Sequence, residues 1–336
     1  MKAIIPVAGE GTRLRPHTYS VPKCLIGVAG KPIIGHILDQ LVHYHIHEVV
    51  LVVGHLGEQV VRYVEDHYDF ALQFVEQKEA KGLGHAIRLT RNCVDDSPSL
   101  IVYGDTVFEA DLAPILSAGR TAIGVKQVED WRRFGVVRHE GDRITQFVEK
   151  PSELVSDLAI VGINYIANTP SLFHALDRLV EEERKTKGEY QLTDAFQIML
   201  DGGEEMRLFQ VDGWYDCGKP ETLLDTNRAL LRNRPSPKNR KGCVVIPPIY
   251  IADNATTENC ILGPNVSIDE GAVVENAILS DSIVGQEAEV RDIVLEGSLI
   301  GPHAIVGGQR FQLNVGDSSV IDFHHGERPK GEKPLS

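Results

Sequence analysis

The residues of this chain whose types and spacing could do chemistry start early. A short apolar run, Ala3-Ile4-Ile5-Pro6-Val7, opens into Ala8-Gly9-Glu10-Gly11-Thr12-Arg13-Leu14-Arg15-Pro16, followed by Pro22-Lys23 and Gly30-Lys31-Pro32. Two glycines two apart let the backbone turn sharply and bring its N–H groups against a polyphosphate, while Arg13 and Lys23 supply fixed positive charge. The spacing is neither the dinucleotide fingerprint, which wants a third glycine, nor a Walker loop, which wants Gly-Lys-Ser/Thr after a longer gap. Further on, Tyr103-Gly104-Asp105 closes a second apolar run. A carboxylate at that point is well placed to hold Mg²⁺ against a triphosphate.

The opening string resembles the signature of the sugar-1-phosphate nucleotidyltransferases, enzymes that join a nucleoside triphosphate to a sugar phosphate. One departure is Gly27-Val28, where many members have Pro-Val. The resemblance covers nearly all of residues 1–232, with the motifs in the family's order. It implies that Asp105 and Asp216, the latter in Gly213-Trp214-Tyr215-Asp216-Cys217-Gly218, are paired Mg²⁺ ligands. Arg13, Lys23, Asp105 and Asp216 then form the catalytic set. Ala8, Gly9, Gly11, Thr12, Arg13, Gln77 and Gly82 bind the nucleotide, Gln77 through the edge of a pyrimidine. Gly135, Glu149 and Lys150, in Phe134-Gly135-Val136-Val137 and Val148-Glu149-Lys150-Pro151, bind the sugar phosphate, the Gly135 backbone and Glu149 carboxylate facing sugar hydroxyls and Lys150 acting as a point charge on the phosphate. Thr193-Asp194 reads as structural support or a helix cap. Gly82-Leu83-Gly84-His85-Ala86 is closer to the uridylyl and thymidylyl versions than to guanylyl or adenylyl ones, which favours UTP or dTTP, and glucose 1-phosphate is the default acceptor.

Composition narrows the partners. A formal net charge of −14 argues against a nucleic-acid or anionic-membrane partner, because such binding draws on clustered Lys and Arg. Five scattered cysteines show no metal-ligand spacing and read as reduced thiols. The start lacks a signal-peptide pattern and no apolar run is long enough to span a bilayer, so a cytoplasmic protein is expected.

The elements that must position these residues are legible in outline. Residues 1 to about 125 alternate apolar strands with amphipathic helices: Ala3–Val7, a helix across Pro32–Tyr44, Glu48–Val53, a helix near Gly57–Asp66, and Ser99–Val102. Such alternation predicts a parallel sheet covered on both faces, with ligands at the carboxyl ends of its strands. Residues 120–232 read as the mixed remainder of a Rossmann-like α/β domain spanning 1–232. A basic, proline-rich linker is expected at 233–242. Beyond it, five hexads share an aliphatic first residue and a small or valine fifth, starting at Ile251, Leu262, Ile268, Val284 and Ile300. Starts at 251, 268, 284 and 300 are spaced close to the roughly 18 residues of three hexads, which predicts about four coils of a left-handed parallel β-helix over 243–308. A polar tail, 309–336, contains His324-His325 without partner spacing for a metal.

Other readings compete: a mannose-1-phosphate guanylyltransferase, a bifunctional protein whose β-helix also transfers an acyl group, and a regulatory subunit without catalysis. Acyltransferase β-helices are usually longer, and His303 stands alone. Regulatory subunits tend to lose catalytic residues that are all present here. A homo-oligomer is expected.

Overall fold

The computed structural model describes residues 1–232, 234 and 240–308. Most of the expected linker and the whole expected tail, with His324-His325, lie outside the described residues.

A nine-stranded sheet organises the first 232 residues. Its order is Ala71–Glu76, Glu48–Val53, Lys2–Pro6, Ser99–Val102, Leu158–Ile166, Ala122–Gln127, Arg207–Gln210, Arg143–Glu149 and Gly135–Glu140. The first four strands are parallel, and Leu158–Ile166 then runs antiparallel to both its neighbours, so the sheet is mixed. Alternate residues of the same strand feed two cores: Ile4 and Ile101 pack on one face, Ala3, Ile5, Leu100 and Val102 on the other. This two-sided burial is why the central strands read as continuous aliphatic runs rather than alternating ones. The expected strands Glu48–Val53 and Ser99–Val102 have those boundaries, whereas Ala71–Glu76 carried no pattern that announced it; the helices Leu83–Arg88 and Leu192–Asp201 begin at the Gly82-Leu83-Gly84-His85-Ala86 and Thr193-Asp194 strings.

Three parallel four-stranded sheets form the second unit, consistent with a left-handed β-helix of hexapeptide repeats. Each sheet takes one strand from each of four coils. Ile251, Ile268, Val284 and Ile300 stack in register, as the spacing of the hexads requires. Asn259, Asn276 and Asp292 occupy equivalent corners with φ of 52°, 51° and 54°, the left-handed region that Asn and Asp tolerate best. Their side chains form a ladder, Asn259 Nδ2 donating to Asn276 Oδ1 and Asn276 Nδ2 to Asp292 Oδ1.

The β-helix packs against the sheet domain rather than hanging from it. Ile283 and Leu299 join Val28, Ile33, Val107, Cys217 and Leu223 in one apolar cluster, and Arg228 pairs with Asp281 at 2.7 Å. Beside this contact lies a cavity of about 910 Å³, walled by residues of both units, including His17, Gly27, Tyr68, Tyr250 and Asp269.

Candidate active site

Lys2–Pro6 and Ser99–Val102 are adjacent and parallel, paired Lys2 to Ser99 and Ile4 to Ile101. Both therefore leave the sheet at the same edge, one into the glycine loop and one into Tyr103-Gly104-Asp105. Gly104 lies too close to Pro6 for a side chain: a Cβ there would sit 2.9 Å from the Pro6 oxygen. Gly11 has φ of 63° and turns the loop into the short 3-10 helix Thr12–Leu14, held by Thr18 Oγ1 donating to the Gly11 oxygen at 2.9 Å. Gly9 is exposed with open space above it, where a phosphate could approach.

Lys23 is nearly buried, at 9% side-chain exposure, and its Nζ lies 2.6 Å from Asp105 Oδ2. Burial works to raise the Asp105 carboxyl, but the Lys23 ammonium and the Thr106 hydroxyl outweigh it and hold it below its ordinary value. Asp216 ends the strand Gly213–Asp216, which pairs antiparallel with Thr106–Glu109 so that Asp216 stands opposite Thr106. The next amide, Cys217 N, donates to the Asp105 oxygen at 3.2 Å. Gly218 completes the cluster: a Cβ there would lie 2.8 Å from Asp216 Oδ1 and 3.0 Å from Arg13 Nη2. Thus Arg13, Lys23, Asp105 and Asp216, drawn from four segments, converge on one edge.

Two carboxylates with hard oxygen donors fit Mg²⁺, which typically takes one or two protein carboxylates and completes its shell with phosphate and water. Among the described residues no group of three or more His, Cys, Asp or Glu side chains converges, as an all-protein cage would require.

Gln77 directly follows the strand Ala71–Glu76. Its Nε2 donates to the Gly82 oxygen and to His85 Nδ1, both at 3.1 Å, leaving its carbonyl oxygen as an acceptor. Burial, with Lys81 and Arg88 nearby, lowers the His85 pKa, so the ring is neutral at pH 7 and able to accept. Gly82, with φ of 102°, is pressed against Tyr190, and a Cβ there would meet the Tyr190 oxygen at 2.6 Å.

Gly135, Glu149 and Lys150 meet on the antiparallel pair Gly135–Glu140 and Arg143–Glu149, where Gly135 stands opposite Glu149. A Cβ on Gly135 would lie 2.8 Å from Glu149 Oε2 and 2.6 Å from Thr193 Oγ1. Lys150 has φ of 42°, an unfavourable conformation for lysine, and its Nζ lies 3.4 Å from Glu149 Oε1. Strained backbone of this kind clusters at functional sites. Thr193 is not the helix cap: the helix Leu192–Asp201 is capped at Gln191, and Thr193 is buried against Gly135.

Sequence reasoning missed Tyr103 and Asn164 as candidate site residues. Tyr103 packs over Gly162, whose φ of 82° and missing Cβ make room for the ring. Burial raises the Tyr103 pKa, and Glu149 and Asp105 raise it further, so the phenol lies between the two carboxylate regions. Asn164 faces Tyr103, is fully buried, and has neither amide atom in a good hydrogen bond. Only the pairing of Leu158–Ile166 beside Ser99–Val102 brings them together.

Residues 2–233 match the nucleotidyl transferase family. The chain belongs to that family. It is 35% identical over 241 residues to UTP–glucose-1-phosphate uridylyltransferase AglF of Haloferax volcanii, an alignment covering 68% of this chain and 96% of the relative. It is 32% identical to the glucose-1-phosphate thymidylyltransferase of Streptomyces antibioticus, over 69% of this chain and 67% of that one. The bifunctional protein GlmU of Methanococcus maripaludis is 34% identical over 69% of this chain, and the alignment spans 54% of that longer protein. A crystal structure assigned as the glucose-1-phosphate thymidylyltransferase of Bacillus anthracis superposes with a TM-score of 0.61 at 26% identity, covering 71% of this chain and 98% of that one. As a family member the chain is a sugar-1-phosphate nucleotidyltransferase, an NDP-sugar pyrophosphorylase. Among the described residues no helix is long and apolar enough to cross a membrane.

Proposed function

We propose that the chain transfers a uridylyl or thymidylyl group from UTP or dTTP to glucose 1-phosphate, with Mg²⁺, releasing pyrophosphate. The observation that carries this reading is the convergence of Arg13, Lys23, Asp105 and Asp216 on the strand edge between the Gln77 side and the Gly135–Glu149–Lys150 side. The names of the uridylyl and thymidylyl relatives support the nucleotide and the sugar.

The acceptor phosphate is already an anion, so no protein nucleophile and no general base is needed. The task is to hold two polyanions in line and neutralise charge as it builds at the α-phosphorus. The loop amides of residues 9 to 12 and Arg13 bind the triphosphate, and Lys23 stabilises the α-phosphoryl oxygens. Asp105 and Asp216 hold Mg²⁺, which supplies charge neutralisation and orientation of the phosphates when bound. Lys150 anchors the sugar's phosphate. Gln77, fixed by the Gly82 carbonyl and neutral His85, reads the pyrimidine edge. The unpartnered amide of Asn164 and the Tyr103 hydroxyl fit beside Glu149 as sugar contacts, because a buried amide with no partner is satisfied when a ligand supplies one.

The test is pyrophosphate release with Mg²⁺ and glucose 1-phosphate, comparing dTTP, UTP, GTP, ATP and CTP. Turnover with dTTP or UTP well above the purine nucleotides is expected. Preference for GTP, or no turnover with any nucleotide, would overturn this reading. A second reading, acyl transfer by the β-helix, has the bifunctional relatives in its favour. Against it, His303, at the wall of the cavity between the two units, is 70% exposed and pairs with Glu287 at 3.3 Å. Acetyl-CoA consumption in the same assay decides it.

A further inference from the structure

We propose that the β-helix clamps the segment carrying Lys23, and that Asn227 and Ser267 are positioning residues for nucleotidyl transfer. The short helical turn Lys23–Leu25 runs directly into a two-residue hairpin, Gly27–Val28 against Lys31–Pro32, turned by Ala29 and Gly30 with φ of 49° and 77°. A tight turn of this type needs left-handed backbone at both central residues, which suits Gly30 and disfavours Ala29. Such a conformation persists only where the surroundings impose it.

Here one buried oxygen imposes it. Ala29 N donates to Asn227 Oδ1 at 2.8 Å, Ser267 Oγ donates to the same oxygen at 2.6 Å, and Asn227 Nδ2 donates to the Asn265 oxygen at 3.0 Å. Ala29, Asn227 and Ser267 are all essentially inaccessible, so water cannot replace these bonds. Asn227 lies in the helix Pro220–Leu231, which begins just after the Asp216–Gly218 turn, whereas Ser267 and Asn265 belong to the β-helix. Asn227 Oδ1 therefore joins the Lys23 hairpin, the Asp216 helix and the β-helix at one point.

The β-helix also bears on the hairpin directly. A Cβ on Gly27 would lie 2.6 Å from Asp269 Oδ2, and one on Gly30 would lie 2.5 Å from the Tyr250 ring. This accounts for glycine at 27, where the resemblance leads one to expect proline: Asp269 fills the space a ring would take. A reacting group set even about 1 Å off its position loses roughly 10²-fold in rate.

The proposal rests on the functional reading above only for the role of Lys23, and the test separates the two. Hydrogen exchange and pyrophosphate-release kinetics are measured on the full chain and on Asn227→Ala, Ser267→Ala and Ser267→Thr. Exchange across 23–33 is expected to quicken roughly fivefold or more in both alanine variants, with Ala71–Glu76 unaffected and protection recovered in Ser267→Thr. kcat is expected to fall roughly tenfold to a hundredfold in Asn227→Ala and less in Ser267→Ala, with KM for both substrates within about twofold. A purely structural role would lower the melting temperature and quicken exchange everywhere while leaving kcat per folded enzyme unchanged, and that result overturns the proposal. If Asn227→Ala does not fold, Ser267→Ala, which deletes one hydroxyl, carries the test. Should the parent turn over no nucleotide, the functional reading fails, and the exchange at 23–33 still decides the clamp.

Discussion

Lys23 Nζ and Asp105 Oδ2, 82 positions apart in the chain, meet at 2.6 Å where two adjacent parallel strands leave the sheet. The ammonium is almost enclosed, whereas the carboxylate is 46% exposed. The pair thus presents one oxygen that is already neutralised and one edge open to a cation.

Lys23→Met should cut kcat by roughly 10²–10³-fold, the effect of removing one preorganised donor from developing charge. Lys23→Arg should not restore it, because a planar fork cannot replace a point charge in so small a space. Steady-state kinetics with pyrophosphate detection, alongside circular dichroism to show that the protein folds, checks both.

Asp216→Asn should lower turnover by orders of magnitude and leave thermal unfolding unchanged, since the side chain is only partly buried. EDTA should abolish activity of the parent and Mg²⁺ should restore it. Near-normal turnover of folded Asp216→Asn would sink the metal assignment.

Gln77→Ala should raise the nucleotide KM by roughly tenfold and narrow the preference for pyrimidines, because a lost base contact of this kind is worth about 1–2 kcal/mol. Competition between UTP or dTTP and ATP reads this out. His85→Ala should produce a weaker version of the same change by freeing the Gln77 amide.

Gly135→Ala should act on the sugar side alone. The added methyl meets Glu149 Oε2 and Thr193 Oγ1, an overpacking that costs about 1–3 kcal/mol, and so the KM for sugar 1-phosphate should rise roughly tenfold or more while the nucleotide KM holds.

Asp269 gives the pH dependence. Burial, reinforced by Glu270 and only partly offset by Arg234, raises its carboxyl from an ordinary value near 3.8 to about 6. A folded-state value above the unfolded one means that the native chain holds the proton longer, so this group lowers stability as pH rises from about 4 to 6. Denaturant unfolding should show that loss in the parent, and Asp269→Asn should flatten it and be the more stable protein at pH 7, by up to about 3 kcal/mol.

Much of the site was legible because local backbone chemistry writes itself into residue type. Gly9 and Gly11 mark a loop that turns and approaches a ligand, and Asp105 at a strand end marks a ligand edge. The repeat of the β-helix was equally plain, since an aliphatic residue must point inward once per side of every coil. Tyr103 and Asn164 were harder, because a tyrosine just after one apolar strand and an asparagine inside another look like ordinary packing residues until the antiparallel strand Leu158–Ile166 is inserted beside Ser99–Val102. That insertion depends on long-range pairing, which no local pattern encodes.

By itself, then, the sequence determined the glycine loop, the strand-end carboxylate Asp105, the strand–helix alternation and the four-coil repeat, because each follows from interactions between residues close in the chain, whereas Asp216 stood out only through the family resemblance. Only the tertiary structure decided that Lys23 neutralises Asp105, that Glu149 faces Gly135 and Thr193, and that Asp269, Tyr250 and Ser267 reach back to the Lys23 hairpin. Those contacts join segments of large separation, and their partners are chosen by which faces of the sheet and the β-helix bury against each other, a property of the whole packed chain.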